Sequence, residues 1–145
     1  MKEIKDRKIL LVYNTCGIRR DNTEWYVECI NSFLKQDFEG LHIVVSSCMN
    51  STDCIKRLYS EFKNRISYCF YPERYVCQTT FNKTVIEMVK KYGEFEGYLY
   101  LDSGITFDNQ TDIIKEAYDR LKTNKYGIVT IQTDTDTAFN DLLGG

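Results

Sequence analysis

Lys8-Ile-Leu-Leu-Val-Tyr13 is a continuous apolar run, closed by the polar residues Asn14-Thr15-Cys16. A run this short, with no polar residue alternating through it, is expected of a strand covered on both faces. It decides the fold because the same pattern recurs down the chain. Leu41-His-Ile-Val-Val45 is a second such run, Ile66 to Tyr71 a third, Gly97 to Leu101 a fourth and Gly127 to Gln132 a fifth. Pro72 ends the third, since proline cannot donate to a ladder.

Between these runs the apolar period changes to that of a helix. Glu24 to Gln36 places Val27, Ile30, Phe33 and Leu34 on one side. Asp53 to Phe62 does the same with Ile55, Leu58, Tyr59 and Phe62. Thr79 to Tyr92 carries Phe81, Val85, Met88, Val89 and Tyr92, with Gly93 placed to cap its end. Ile113 to Leu121 lies within a fourth helix. Asn50 stands three positions before Asp53 and Asn109 three before Asp112, so each Asn is expected to cap while an acid meets the positive helix end. Strand–helix alternation of this kind predicts a three-layer, Rossmann-like α/β fold with a mostly parallel sheet and right-handed crossovers. The strand running to Asp102 is expected to be central and beside the first, because Tyr98 to Leu101 reads as apolar on both faces.

Composition narrows the class further. A chain of 145 residues without linker, repeat or low-complexity segment fits one domain. Its formal charge of −2 argues against a protein that coats nucleic acid. The basic residues Lys2, Lys5, Arg7 and Lys8 are broken by Glu3 and Asp6 and read as a solvated lead-in. No apolar run approaches the ~20 residues that span a bilayer, and the N-terminus lacks the pattern of a signal peptide. Six cysteines form no C-x-x-C pair, and His42 is the sole histidine, so a zinc site is unsupported. Reduced thiols in a cytoplasmic protein are expected.

In an open parallel sheet, ligands bind beyond the carboxyl ends of the strands. Three polar clusters fall there: Asn14-Thr15-Cys16, then Ser46-Ser47 with Asn50-Ser-Thr-Asp53, then Asp102-Ser-Gly104. Neither G-x-G-x-x-G nor G-x-x-x-x-G-K-[ST] is present, which disfavours a dinucleotide or P-loop cradle.

Taken together, K-I-L-L-V-Y-N-T, I-V-V-S-S-C-M-N-S-T-D, a helix containing Asn82 and Y-L-Y-L-D-S-G resemble family 2 glycosyltransferases of the A-type fold. The spacing matches from about Lys8 to Asp108. The resemblance implies a nucleotide-sugar donor of UDP or GDP type. Its base and ribose would lie against Tyr13, Asn14 and Thr15, with Ser46 reading the base by hydroxyl hydrogen bonds. Asp53 matches the acid of the family's S-T-D segment, and Asn82 its helix Asn near the phosphates. Asp102 matches the first acid of the D-x-D motif, next to Ser103, and would touch ribose or a divalent Mn or Mg ion.

The chain departs from the pattern at two places. Ser46 and Ser47 stand where acids are usual, and Gly104 replaces the second acid of D-x-D. A Mg²⁺ site can use one or two carboxylates plus the phosphates, so Asp102 remains the expected metal ligand, with Asp108 a candidate substitute. Asp134-Thr-Asp136 is a second D-x-D string, read as a loop. Inverting members of the family take a catalytic base from a second half of the domain, and the chain ends at Asp141-Leu-Leu-Gly-Gly145, before such a half. Two functions follow: the donor-binding part of a glycosyltransferase, incomplete at its C-terminus, or a non-catalytic nucleotide-binding or interaction module on the same fold.

Overall fold

The computed structural model describes residues 7–15, 23–48 and 52–123. Four strands, β1 (Ile9–Asn14), β2 (Leu41–Cys48), β3 (Ser67–Tyr71) and β4 (Gly97–Asp102), alternate with four helices, α1 (Thr23–Leu34), α2 (Thr52–Phe62), α3 (Cys77–Tyr92) and α4 (Ile113–Thr123). The strands pair in the order β3-β2-β1-β4, and every pairing is parallel. This is the α/β fold expected from the apolar runs. The expected fifth strand, Gly127 to Gln132, and Asp134-Thr-Asp136 lie outside the described residues, as do Cys16, Asn50 and Ser51.

Alternate residues of each strand supply two separate cores. Ile9, Leu11 and Tyr13 of β1 and Ile43 and Val45 of β2 pack with Ile30 and Phe33 of α1, Leu58 and Phe62 of α2, and Ile114 and Tyr118 of α4. Leu10, Val12 and Val44 face the other way, onto Met88 of α3, with Cys69 and Phe95. The period of two in β-strands makes this division. Among the described helices α3 alone covers its face, so the described layers are helix, sheet and helices.

Aromatic rings cross the larger core edge to face, Phe33 lying 5.1 Å from Tyr13 and 5.0 Å from Phe107 between centroids. Gly97 opens β4 where a Cβ would stand 2.7 Å from Ile9 Cδ1 and 2.8 Å from Leu121 Cδ2, so α4 closes on the sheet only over a glycine. Gly93 ends α3 at φ 89° with its N–H donated to the Val89 carbonyl, as expected for a helix-terminating glycine.

β4 lies beside β1, as expected, and at an end of the described sheet. Four expectations change. Tyr98 is 42% exposed, so among the described residues its run is not covered on both faces. β2 runs three residues past Val45, placing Ser46 and Ser47 inside the strand instead of in a loop after it. Asn109 is not the cap of α4, because the helix starts only at Ile113. Gln36 takes that role from a distance: its Oε1 accepts the Ile114 N–H at 3.1 Å and its Nε2 donates to the Gln110 carbonyl. Finally, α3 buries Thr80, Thr84 and Met88, while Phe81, Val85 and Val89 are only half-buried.

The five described cysteines, 29, 48, 54, 69 and 77, form no disulfide with one another, and only Cys77 is exposed. No described helix is long and apolar enough to cross a membrane.

Candidate functional site

Register aligns the carboxyl ends of three strands. Asn14 pairs with Ser46 on one side and with Asp102 on the other. Paired residues of parallel strands point to the same face, so all three turn towards the α3 side. Sequence placed these residues in three separate clusters; the sheet makes them one row.

The members of that row differ in exposure. Asp102 is exposed, whereas Asn14 is 2% exposed and Ser46 fully buried. Ser46 Oγ lies 2.8 Å from Thr84 Oγ1. Thr84 spends its proton on the Thr80 carbonyl at 2.8 Å, so its oxygen accepts from Ser46 and, at 3.2 Å, from Tyr71 Oη. The Ser46 hydroxyl proton is thus spent inside the protein, on Thr84. Thr15 is also fully buried, its N–H on the Ser46 carbonyl at 2.9 Å.

Tyr100 was read only as part of an apolar run, yet it organises the end of β4. Two residues before Asp102, it shares its face, and its hydroxyl donates to Asp102 Oδ1 at 2.7 Å. The same oxygen accepts from Asn14 Nδ2 at 3.1 Å. Its ring packs edge to face on Phe81, 5.4 Å between centroids. Burial, then the Asp102 hydrogen bond, push the phenol well above its ordinary range, so it stays protonated and a donor. The alternation Tyr100-Leu-Asp102 was the available signal, since it puts both polar tips on one face.

The turn after β4 is held from the opposite face. The Ser103 carbonyl accepts from Tyr13 Oη at 2.7 Å and from Trp25 Nε1 at 2.8 Å, with Cys29 Sγ at 4.0 Å. Burial raises the Tyr13 phenol far above its usual range and the Cys29 thiol to about 11, so both remain protonated donors. The Ile105 N–H bonds back to the Asp102 carbonyl at 3.1 Å. Asp102 therefore sits on a strand end fixed through both its side chain and its neighbour's backbone.

The remaining sequence candidates lie apart from this hydrogen-bonded group. Asp53 is exposed in the first turn of α2. Asn82 is exposed on α3, its Oδ1 accepting from Gln78 Nε2 at 3.1 Å. Asp108 is an exposed turn residue at φ 50°, a conformation Asp tolerates better than most residues. Gly104 is exposed, and a Cβ built on it meets nothing within 4 Å. Among the described residues no three His, Cys, Asp or Glu side chains group as a metal site. At the other, amino edge of the sheet, a cleft of about 500 Å³ is lined by Arg7, Lys8, Glu96, Tyr118 and Lys122 among others.

No protein-family model matches the chain, and no curated protein matches it. Among solved structures it resembles the mannosyltransferase PcManGT from Pyrobaculum calidifontis, in complex with GDP-Man and Mn²⁺. That likeness has a TM-score of 0.60 at 14% identity and covers 82% of this chain and 34% of the mannosyltransferase. It also resembles S. aureus TarS 1–349, with a TM-score of 0.55 at 20% identity, over 86% of this chain and 38% of that one. The chain shares their fold and spans little more than a third of their length.

Proposed function

We propose that this chain is the donor-binding part of a glycosyltransferase, taking a nucleotide diphosphate sugar at the carboxyl edge of its sheet. The observation that carries this reading is the exposed Asp102 carboxylate at the end of β4, in register with Asn14 and Ser46. Asp102 Oδ1 already accepts from Tyr100 Oη; a ribose hydroxyl or a divalent cation would take the place of water on the rest of the exposed carboxylate. The fold likeness to a mannosyltransferase seen with GDP-Man and Mn²⁺ supports the same choice of ligand.

In this reading Asp102 and Ser103 meet the donor, and Tyr13, Asn14, Thr15 and Ser46 form the floor beneath. Asp53 on α2 and Asn82 on α3 complete the proposed donor contacts. Asp102 is a hard oxygen ligand suited to Mn²⁺ or Mg²⁺, and one carboxylate suffices where a diphosphate provides further oxygens. Such a cation would neutralise the charge that develops on a departing diphosphate. The open space at Gly104 is where the second carboxylate of a D-x-D motif would stand.

Calorimetry with GDP and UDP, with and without Mn²⁺, tests the proposal. Binding should weaken on chelation, and Asp102→Ala should cost about 1–3 kcal/mol, the order of a charged hydrogen bond. Gly104→Asp should fold normally and tighten Mn²⁺-dependent binding several-fold. Binding indifferent to Mn²⁺ and to both substitutions would remove the cation from the reading, and no binding of either nucleotide would remove the donor. The second reading, a non-catalytic module, is favoured by one observation: Ser46 and Ser47 are buried within β2 where the resembling family carries acids. A catalytic base would come from outside the described residues.

A further inference from the structure

We propose that Tyr100 is a positioning residue that aims the Asp102 carboxylate, a role that rests on the donor-site reading above. The Tyr100 hydroxyl is the middle of a three-member chain, Asn14 Nδ2 to Tyr100 Oη at 3.1 Å and Tyr100 Oη to Asp102 Oδ1 at 2.7 Å. Because one hydroxyl both accepts and donates, each bond polarises the other. Because Tyr100 is anchored by Phe81 at the ring and by Asn14 at the oxygen, it restricts Asp102 to one rotamer. Oδ1 is then occupied, and Oδ2 is left to face the ligand.

Three features argue that this arrangement serves a ligand and not the fold alone. The carboxylate it holds is exposed, and solvating water would satisfy it without help. The backbone just beyond is fixed independently by Tyr13 and Trp25 on the Ser103 carbonyl. Where the D-x-D pattern would supply a second carboxylate, Gly104 supplies none. A lone carboxylate must be held in its productive orientation by its neighbours, since no second ligand corrects its aim.

The test is a double-mutant cycle read by calorimetric titration with GDP in the presence of Mn²⁺. Tyr100→Phe keeps the ring against Phe81 and removes only the hydroxyl. We expect it to weaken binding by about tenfold, the size of one hydrogen bond to a charged group. In an Asp102→Ala background the same substitution should change nothing further, because its effect passes through that carboxylate. Trp25, the sole tryptophan, bonds to the Ser103 carbonyl, and its emission should match in all four proteins, showing the turn intact. Equal losses in both backgrounds would mean a general structural role and overturn the proposal, as would full affinity in Tyr100→Phe. Undiminished binding in Asp102→Ala, or no binding by the unsubstituted protein, would overturn the donor-site reading and the proposal with it.

Discussion

Ser46 and Ser47 are neighbours in β2, both fully buried, and the sheet sends them to opposite faces. On the α3 face Ser46 finds Thr84, and through it Thr80 and Tyr71. On the other face Ser47 Oγ finds no partner among the described residues. The larger core is mostly rings and aliphatic chains, and hydroxyls on that side are engaged elsewhere, Tyr13 on the Ser103 carbonyl and Ser32 on the Cys29 carbonyl. The smaller core is apolar only in its middle, at Leu10, Val12, Val44 and Met88, and polar at both ends. One end holds the Ser46–Thr84 group, and the other holds His42, whose Nε2 meets Ser67 Oγ at 2.7 Å. The comparison teaches that two adjacent buried serines meet different surroundings, and that the exposed Asp102 carboxylate lies on the face where the serine hydroxyl is paired.

The larger core should therefore be the more costly to damage. Phe33 is fully buried against Tyr13 and Phe107, so Phe33→Ala should lose about 3–5 kcal/mol, transfer plus cavity. Denaturant unfolding measures it. A loss below about 1 kcal/mol would mean that the rings are loosely packed and that the two faces do not differ as described.

His42 tests the amino end of the α3 face. Burial first, then the nearby Arg7 and Lys91 charges, lower its pKa from 6.5 to about 4. The folded protein thus holds the ring neutral where the unfolded chain would protonate it. The stabilisation is complete above pH 6.5 and is lost as pH falls towards 4, amounting to roughly 3 kcal/mol. Stability measured across this window should fall less steeply in His42→Leu than in the unsubstituted protein. Parallel curves would show that His42 is hydrated.

Thr84 tests the carboxyl end. Thr84→Val keeps the shape but strips Ser46 and Tyr71 of their acceptor, leaving a fully buried hydroxyl unpaired. A loss of about 1–3 kcal/mol is expected. Ser46→Ala made together with Thr84→Val should recover part of that loss, because the orphan is removed with its partner.

These faces explain what the sequence showed and what it hid. The strands and helices were legible because Leu10 to Tyr13 and the spacing of Val27, Ile30 and Phe33 satisfy local patterns. The end of β2 was not, because Ser46 and Ser47 resemble loop residues until Thr84 is known to lie over one of them. Asn109 likewise looked like a cap, and no local rule points to Gln36, which is far away in sequence and adjacent only in the fold. At the candidate site Asn14 and Asp102 were legible as polar ends of apolar runs. Their alignment was not, since register is set by pairing of whole strands. Tyr100 was hidden by its double nature, a ring that fits an apolar strand and a hydroxyl whose partner depends on that register.

The smallest expected effect is the sharpest test of the contrast, because its sign reverses between adjacent residues. Ser46→Ala removes a satisfied hydroxyl and should cost about 0.5–1.5 kcal/mol, the net value of an ordinary hydrogen bond. Ser47→Ala removes a hydroxyl that is already desolvated without compensation. The folded state then loses a penalty, while the unfolded chain loses only a group that water would satisfy. The change should be neutral or stabilising by up to about 1 kcal/mol. Paired denaturant curves for the two variants at one pH decide it. If both substitutions destabilise equally, Ser47 has a partner in solution and the two faces do not differ in polarity at this edge. If only Ser46→Ala does, the difference between the faces reduces to where one threonine stands on α3.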